Sequence, residues 1–424
     1  MYVRTYIRIH FRIHIHINNH YRAMNVYIAD TLPHQTVTDL ESLGLAVQNR
    51  PDSGMEDLNA GLPDSDILIV RSTKVTELCM KKSPNLMLVI RAGAGVNTID
   101  LKAASGLGIY VANCPGKNAI AVAELTIGLM LSLDRSIAEG VKDFHAGRWD
   151  KGRYSKADGM FGKTLGVIGT GQIGSEVIRR AHGFGLNVVA WSRSLSATRA
   201  KELGVVQVSS VEEVVRQADV VTVHLASHAE TKGIISREVL AAMKDGGVFI
   251  NTSRADVVDE QALVEEVRSG RLKAGLDVFE GEPEGKTGDV DSPFRGLAGV
   301  HVVTHHIGAS TQQAQVAVAD AVVDIVRTYL REGRIPNWVN RSETSKAPWK
   351  LVVRHYDKPG VLAGVLTALK SQDINAQELE NVIFDGHLTA CCTIQLSAEP
   401  DAALLKEIRS KEDEVISAML LRNR

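Results

Sequence analysis

Three side chains that can move a proton or hold an anion follow one another late in the chain: Arg254, Glu282 and His306. A guanidinium can hold a carboxylate through two hydrogen bonds and polarise a neighbouring carbonyl group. An imidazole can give a proton to a ketone oxygen, and a nearby carboxylate can orient the ring. Each residue alone also has an ordinary interpretation: a surface cation, a loop carboxylate, a hydrogen-bonded histidine. Their placement just beyond successive predicted strands favours a catalytic set.

A glycine-rich turn precedes this set, with the sequence Gly169-Thr170-Gly171-Gln172-Ile173-Gly174. The apolar residues 165–168 lead into it as a strand, and a helix follows it. Gln172 and Ile173, like the glycines, are predicted cofactor-binding residues. In such a turn the first glycine permits a tight bend and the second lets the backbone approach a pyrophosphate. The third lets the helix pack on the strand. Because strand and helix flank the glycines correctly, the pattern predicts a dinucleotide site.

The residues after the next strand bear on the choice of dinucleotide. An NAD site usually carries Asp or Glu about 20 residues beyond the glycines, where the carboxylate holds the ribose 2′-hydroxyl. Here Ser192 and Arg193 stand at that place, and no acid does. Arg193 can bind a 2′-phosphate, so we expect NADP to be used well. The alternative is that Arg193 is a solvated loop cation and NADH still serves as the cofactor.

Composition narrows the class of protein. The chain has 424 residues, of which 44% are hydrophobic and 23% charged, and its net charge is −2. These values are typical of a globular protein with two or three domains and favour neither nucleic acid nor an acidic membrane as partner. The four cysteines show no zinc or C-x-x-C spacing, which indicates a reducing compartment and no metal site. We expect a cytoplasmic protein.

The order of apolar segments predicts an α/β fold with two Rossmann-like, doubly wound parallel sheets. Residues 1–23 are basic, free of acids and strand-like, and we interpret them as an extension upstream of a start at Met24 rather than a targeting signal. The remaining predicted boundaries are a substrate-binding lobe at 24–121 and 309–340, a nucleotide-binding Rossmann lobe at 122–308, a linker at 341–347 and a ferredoxin-like βαββαβ module at 348–424.

Together these motifs resemble the D-isomer-specific 2-hydroxyacid dehydrogenases, over nearly everything after Met24. The resemblance is carried by Arg71-Ser72-Thr73-Lys74, Arg91-Ala92-Gly93-Ala94-Gly95, the glycine turn, Ser253-Arg254, Asp277-Val278-Phe279, Glu282-Pro283 and His306-Ile307-Gly308. It implies that Arg254 binds the substrate, that His306 is the acid/base and that Glu282 is its partner. It also implies cofactor contacts from His224, Thr252, Asp277, His306 and Gly308.

The resemblance further implies how the substrate is held. Backbone amides at Ala94 and Gly95 would bind its carboxylate, and Arg71, with Lys74, would meet a phosphate. The branch of the family with these features oxidises 3-phosphoglycerate to 3-phosphohydroxypyruvate, the first step of L-serine biosynthesis, and this is the activity we expect. Two alternatives stay open: a hydroxypyruvate or glyoxylate reductase on the same scaffold, and a nucleotide-sensing transcriptional co-repressor.

The C-terminal module resembles an ACT domain, which in this branch can bind L-serine between subunits as a feedback inhibitor. His355 and Asn375 match positions associated with serine. Asp357 stands where asparagine is often found, and its charge would repel the carboxylate of serine. The alternative is a module that only supports oligomerisation.

Two further features follow from the resemblance. His305 replaces the proline that usually precedes the catalytic histidine, which adds a second imidazole beside His306. The family also implies a homodimer or homotetramer, formed through a helix from about Ala121 to His145. Trp149 would insert into the neighbouring subunit, although locally it reads equally well as a core tryptophan.

Overall fold

The structure is a computed structural model, and it describes residues 23–283, 287–297, 300–342 and 347–423. The predicted extension at 1–23 lies outside these ranges except for Ala23, and so does most of the predicted linker. The chain divides into two compact units, Met1–Asn340 and Arg341–Arg424. The boundary between the substrate-binding and nucleotide-binding lobes falls within the first unit and stays a prediction.

The first unit begins with a five-stranded parallel sheet in the order β2-β1-β3-β4-β5. Its strands are β1 (Asn25–Ile28), β2 (Ala46–Asn49), β3 (Ile67–Val70), β4 (Leu88–Arg91) and β5 (Tyr110–Asn113). Its connecting helices are α1 (His34–Glu41), α2 (Met55–Asn59), α3 (Glu77–Lys81) and α4 (Leu101–Gly106). All four residues of β3 are buried, as expected for a strand covered by helices on both faces. The strand order reverses direction between β1 and β3, so their carboxyl ends border a crevice.

Three helices follow: α5 (Ala119–Arg135), α6 (Ile137–His145) and α7 (Lys151–Tyr154). The prediction of one continuous helix from about Ala121 to His145 was wrong. Ser136 has a left-handed backbone with a φ of 48°, which ends α5 and changes the direction of the chain before α6. The apolar face of α5 is buried, since Leu129 and Leu133 pack in the core of the second sheet.

The second sheet has seven parallel strands in the order β12-β11-β10-β9-β6-β7-β8. They are β6 (Thr164–Ile168), β7 (Asn187–Trp191), β8 (Val206–Gln207), β9 (Val220–Val223), β10 (Val248–Asn251), β11 (Lys273–Leu276) and β12 (Val300–Val303). The helices between them are α8 (Gln172–Gly183), α9 (Ala197–Leu203), α10 (Val211–Gln217), α11 (Arg237–Ala241), a 3₁₀ turn (Ala255–Val257) and α12 (Glu260–Arg268). Here the strand order reverses between β6 and β9.

The long helix α13 (Gln312–Glu332) then packs on the first sheet through Val322 and Val326. Two parallel sheets wound in this way confirm the predicted α/β class. None of the helices in the described ranges is long and apolar enough to cross a membrane.

The second unit is a four-stranded antiparallel sheet in the order β14-β15-β13-β16. Its elements are β13 (Trp349–Tyr356), α14 (Val361–Ser371), β14 (Ala376–Ile383), β15 (Thr389–Leu396), α15 (Ala402–Ser410) and β16 (Val415–Arg422). Side chains such as Leu351, Val365 and Ile394 form its core. This is the βαββαβ order of a ferredoxin-like fold, as predicted.

Candidate active site

The glycine turn between β6 and α8 excludes side chains at two positions and leaves a third open. Gly169 has a φ of 97°, and a Cβ atom there would lie 2.5 Å from the carbonyl oxygen of His224. A Cβ atom on Gly174 would lie 2.0 Å from the carbonyl oxygen of Gly169. At Gly171 no atom of the described residues, apart from its chain neighbours, lies within 4 Å of where a Cβ would stand. A pyrophosphate can therefore approach the backbone beside the positive end of α8, so the turn fits a nicotinamide dinucleotide.

His224 follows β9 at the point where the strand order reverses. Its Nε2 atom lies 3.0 Å from Oγ1 of Thr222. Its Nδ1 atom is buried and has no hydrogen-bond partner in the described part of the chain. Burial lowers the pKa of His224 to about 3, so the ring is neutral at physiological pH. His224 is therefore a polar but uncharged residue beside the glycine turn.

A cavity of about 310 Å³ opens beside the glycine turn, bordered by loops from both sheets of the first unit. It lies at the carboxyl ends of the second sheet's strands, where open α/β sheets bind ligands. The predicted site residues that line it are Ala94, Gly95, Gly171, Gln172, Ile173, His224, Thr252, Arg254, Asp277, His306 and Gly308. Side chains predicted from distant parts of the sequence thus converge on one space.

The imidazole of His306 and the carboxylate of Glu282 are hydrogen-bonded, with 2.7 Å between Nδ1 and Oε2. The other oxygen, Oε1, accepts the backbone N–H of Phe279 at 3.0 Å, which fixes the carboxylate. The contact with Glu282 leaves Nε2 of His306 for a ligand in the cavity. His305 is exposed and is not among the residues that line this cavity, so its ring does not compete for the place of His306.

Asp277 holds the backbone that carries His306. The residue is only 1% exposed. Its carboxylate accepts the backbone N–H groups of Ile307 and Gly308 at 2.9 Å each, and the hydroxyl of Thr304 at 2.6 Å. These bonds stabilise the left-handed backbone of His306, whose φ is 53°. Asp277 lines the cavity, yet its carboxylate is largely engaged within the protein.

Arg254 and Arg91 enter the site over two glycines. A Cβ atom on Gly95 would lie 2.6 Å from Nη2 of Arg254, and one on Gly93 would lie 1.5 Å from Nη1 of Arg91. The two glycines therefore leave room for two guanidinium groups. Arg91 was predicted only as part of a motif and not as a site residue. The sequence feature that could have identified Arg91 as a site residue is its position, at the end of an apolar strand and just before a Gly-x-Gly sequence.

Arg91 is a cation without an anionic partner in the described chain. It lines both the first cavity and a neighbouring one of about 160 Å³. Burial, and then the positive charges of Arg254 and Arg71, lower the pKa of Arg91. Its Nε atom is buried and has no hydrogen-bond partner among the described residues. Arg254 lines the first cavity, Arg71 the second and Arg91 both, so three guanidinium groups surround two adjoining cavities, which favours an anionic ligand.

Arg71 lines the second cavity together with His306, whereas Lys74 lines neither cavity. The loop that carries Arg71 is held by Asp30, which sequence reasoning also missed. The carboxylate of Asp30 accepts the backbone N–H groups of Arg71, Ser72 and Thr73 at 2.7, 3.1 and 3.1 Å. Asp30 follows β1 and Arg71 follows β3, and these strands are neighbours in the sheet although far apart in sequence.

Ser192 and Arg193 lie beyond β7, as predicted, but they do not line the described cavity. Arg193 forms an ion pair with Glu230, in the loop after β9. The sequence shows no acid directly after β7, because the acid that pairs with Arg193 there, Glu230, lies in the loop after a different strand, β9.

In the second unit, His355 is only 2% exposed, and both ring nitrogens are engaged. Nδ1 lies 2.7 Å from the carbonyl oxygen of Tyr356, and Nε2 lies 3.1 Å from Oδ1 of Asn381. Asp357 and Asn375 are exposed. Within this unit the histidine is thus part of the core rather than an open binding residue.

Residues 127–308 match the D-isomer specific 2-hydroxyacid dehydrogenase, NAD binding domain. The chain is 38% identical over 319 residues to a D-3-phosphoglycerate dehydrogenase of Methanocaldococcus jannaschii, covering 75% of this chain and 59% of that protein. It is 41% identical over 265 residues to a hydroxypyruvate reductase of Thermotoga maritima, covering 62% and 84%. The structure of NAD⁺-bound 3-phosphoglycerate dehydrogenase from Entamoeba histolytica is similar, with a TM-score of 0.62 and 26% identity over 76% of this chain and 99% of that one.

The chain therefore belongs to the D-isomer specific 2-hydroxyacid dehydrogenase family, which confirms the resemblance drawn from its motifs. The chain spans about three fifths of the length of the M. jannaschii protein, which is longer.

Proposed function

We propose that the protein is a D-3-phosphoglycerate dehydrogenase, which interconverts 3-phosphoglycerate and 3-phosphohydroxypyruvate in the first step of L-serine biosynthesis. The observation that carries the proposal is the set of three guanidinium groups, Arg71, Arg91 and Arg254, around the space that His306 faces. A substrate with a carboxylate at one end and a phosphate at the other would match these charges. Relatives named D-3-phosphoglycerate dehydrogenase support it.

Each residue of the site has its own role in this reaction. Arg254 binds the substrate carboxylate and polarises the carbonyl group, and Arg71 and Arg91 hold the phosphate. His306 gives a proton from Nε2 to the carbonyl oxygen during reduction and removes it during oxidation, while Glu282 orients the ring. Asp277 keeps His306 in place without touching the substrate. A bound nicotinamide dinucleotide would supply or accept the hydride, and the glycine turn would hold its pyrophosphate.

The test is a comparison of initial rates with 3-phosphohydroxypyruvate, hydroxypyruvate and glyoxylate, each at saturating reduced cofactor. We expect the phosphorylated substrate to have the highest kcat/KM. Arg71→Gln should lower kcat/KM for that substrate by about 100-fold, because a charge-assisted contact with phosphate is lost. The same variant should leave the rate with hydroxypyruvate nearly unchanged. Lys74→Gln is the matched control, since Lys74 lines neither cavity.

A second candidate is a hydroxypyruvate reductase, which the similarity to the T. maritima enzyme favours. Equal or higher kcat/KM for hydroxypyruvate would support this candidate and contradict the proposal. Arg71 would then be a structural cation.

We also propose a homodimer that forms through α6. Ile137, Val141 and Phe144 on this helix are exposed, and Trp149 just beyond it is 84% exposed rather than part of the core. A small cavity of about 280 Å³ borders Phe144 and Trp149, and a partner's tryptophan would fit such a space. The same surface on both subunits would make a two-fold interface.

L-serine as a feedback inhibitor is a further part of the proposal. Because both ring nitrogens of His355 are engaged, serine would have to break the contact with Asn381 or bind through Asn375 instead. Titrating L-serine against the reductase rate tests this. Unchanged activity at millimolar serine would contradict regulation and leave the C-terminal unit as an oligomerisation module.

A further inference from the structure

The ion pair between Arg193 and Glu230 lies at the adenosine end of the dinucleotide site. Arg193 is two residues beyond β7, and Glu230 lies in the loop that follows β9. In the sheet, β7 and β9 are the two neighbours of β6, whose carboxyl end carries the glycine turn. The two side chains therefore meet across the end of β6. An adenosine ribose in a Rossmann site lies against the end of β7, beside this pair.

We propose that Glu230 selects between the two nicotinamide dinucleotides by its contact with Arg193, an inference that rests on the proposed function. In the closed pair the guanidinium charge is neutralised, so the site accepts the uncharged 2′-hydroxyl of NAD. A 2′-phosphate needs the guanidinium for itself and would also be repelled by Glu230. The carboxylate that NAD sites usually place at the end of the second strand is thus supplied here from the loop after β9.

The exposure of the pair determines how strong this selection is. The side chains of Arg193 and Glu230 are 69% and 72% exposed. An ion pair so open to water shifts an equilibrium by roughly fivefold at most, because water and salt screen it. NADP can therefore open the pair and still bind. The protein is expected to use both cofactors, with a bias against NADP that disappears when Glu230 loses its charge.

The test is the direct binding of NADH and NADPH to the full-length protein by isothermal titration calorimetry, which does not depend on catalysis. Glu230→Gln should lower the Kd for NADPH by up to about fivefold, through loss of repulsion and release of the guanidinium, and leave the Kd for NADH within about twofold. Arg193→Gln should raise the Kd for NADPH and spare that for NADH. Raising the salt concentration should shrink both effects on NADPH binding.

Glu265→Gln is the matched control, because Glu265 forms a similarly exposed ion pair with Arg237 on helices α11 and α12. It should change neither affinity. The inference is overturned if Glu230→Gln leaves the ratio of the two affinities unchanged, or shifts both equally. A wild-type protein that binds neither dinucleotide would overturn the proposed function and this inference with it. Binding of both with an unaltered ratio overturns the inference alone.

Discussion

The carboxylates of Glu282 and Asp277 serve His306 in different ways. Glu282 bonds to the ring at Nδ1, whereas the carboxylate of Asp277 accepts the backbone N–H groups of Ile307 and Gly308, which directly follow the left-handed residue. A change at Glu282 therefore affects the orientation of the imidazole and leaves the loop intact. A change at Asp277 affects the loop itself and, through it, the position of the ring.

We predict that Glu282→Gln lowers kcat for the reduction of 3-phosphohydroxypyruvate by about 10- to 100-fold, because the ring loses its charged hydrogen-bond partner. KM and the melting temperature should change little, since the amide oxygen can still accept from Phe279. Steady-state kinetics and thermal unfolding measure these quantities. His305→Ala is the control and should keep most of the activity. A larger loss in that variant than in Glu282→Gln would reverse the assignment of the acid/base.

Asp277→Asn is predicted to act through stability as well as through catalysis. The amide replaces one acceptor oxygen with a donor that faces backbone N–H groups. The buried N–H group left without a partner should lower the free energy of unfolding by about 1–3 kcal/mol. Denaturant unfolding measures this change, and kcat should fall in the same variant. A variant of full stability and full activity would show that the left-handed turn does not need Asp277.

Among the elements, the loop after β3 depends most on a single residue. Burial alone would raise the pKa of Asp30, but hydrogen bonds from Arg71, Thr73 and Ser72 lower it, and the net shift is downward. The carboxylate therefore stabilises the folded protein fully above about pH 4, and this stabilisation is lost as the pH falls through the lowered pKa. The loop and Arg71 should loosen together in acid.

We predict that Asp30→Asn lowers the free energy of unfolding at pH 7 by about 1–3 kcal/mol, because backbone donors lose a charged acceptor. The difference from the wild type should shrink below pH 4. The KM for 3-phosphohydroxypyruvate should rise while that for hydroxypyruvate stays constant, a split that a purely structural role would not produce. Asp39→Asn is the control, because the carboxylate of the half-buried Asp39 on α1 accepts a hydrogen bond from the side chain of Gln35 rather than from a backbone N–H group. A stability difference that does not depend on pH would contradict the role of the charge.

Elements with a clear period were predictable from the sequence. The buried strands β3, β9 and β10 are short apolar runs, and the C-terminal unit has the predicted βαββαβ order of strands and helices. The break at Ser136 was not predictable, because helical spacing continues through it. Only the left-handed backbone, which tertiary packing selects, separates α5 from α6.

The site residues that belong to local sequence motifs were predictable. The residues that act across neighbouring strands were not. The glycine turn and the ends of β10 to β12 indicated the cavity. Asp30 and Glu230 act on residues 41 and 37 positions away, and no sequence motif connects such partners. Arg91 was missed because its importance comes from burial and from two other guanidinium groups, which only the fold brings near.

At the scale of the whole molecule, the segment after α6 that carries Trp149 is held in place by hydrogen bonds. Asp143 accepts hydrogen bonds from Arg148 and Tyr154, which fix the segment that presents Trp149. We predict that Trp149→Ala together with Phe144→Ser converts the proposed dimer into monomers, as sedimentation velocity would measure. Leu107→Ala, at an exposed apolar position elsewhere, is the control. A dimer that survives the double change would place the interface on another surface.

The close approach of Arg254 to Gly95 determines how a mutation at Gly95 would appear in a genetic experiment. A single-nucleotide change that turns Gly95 into alanine adds one methyl group, whose nearest neighbours are side-chain atoms of Arg254 and Asn97 rather than backbone atoms. The product should accumulate in the cell at normal abundance. It should nevertheless behave as a loss-of-function allele, because the displaced guanidinium no longer holds the substrate. In a genetic screen, such an allele would be invisible to protein levels and would appear only as a nutritional requirement.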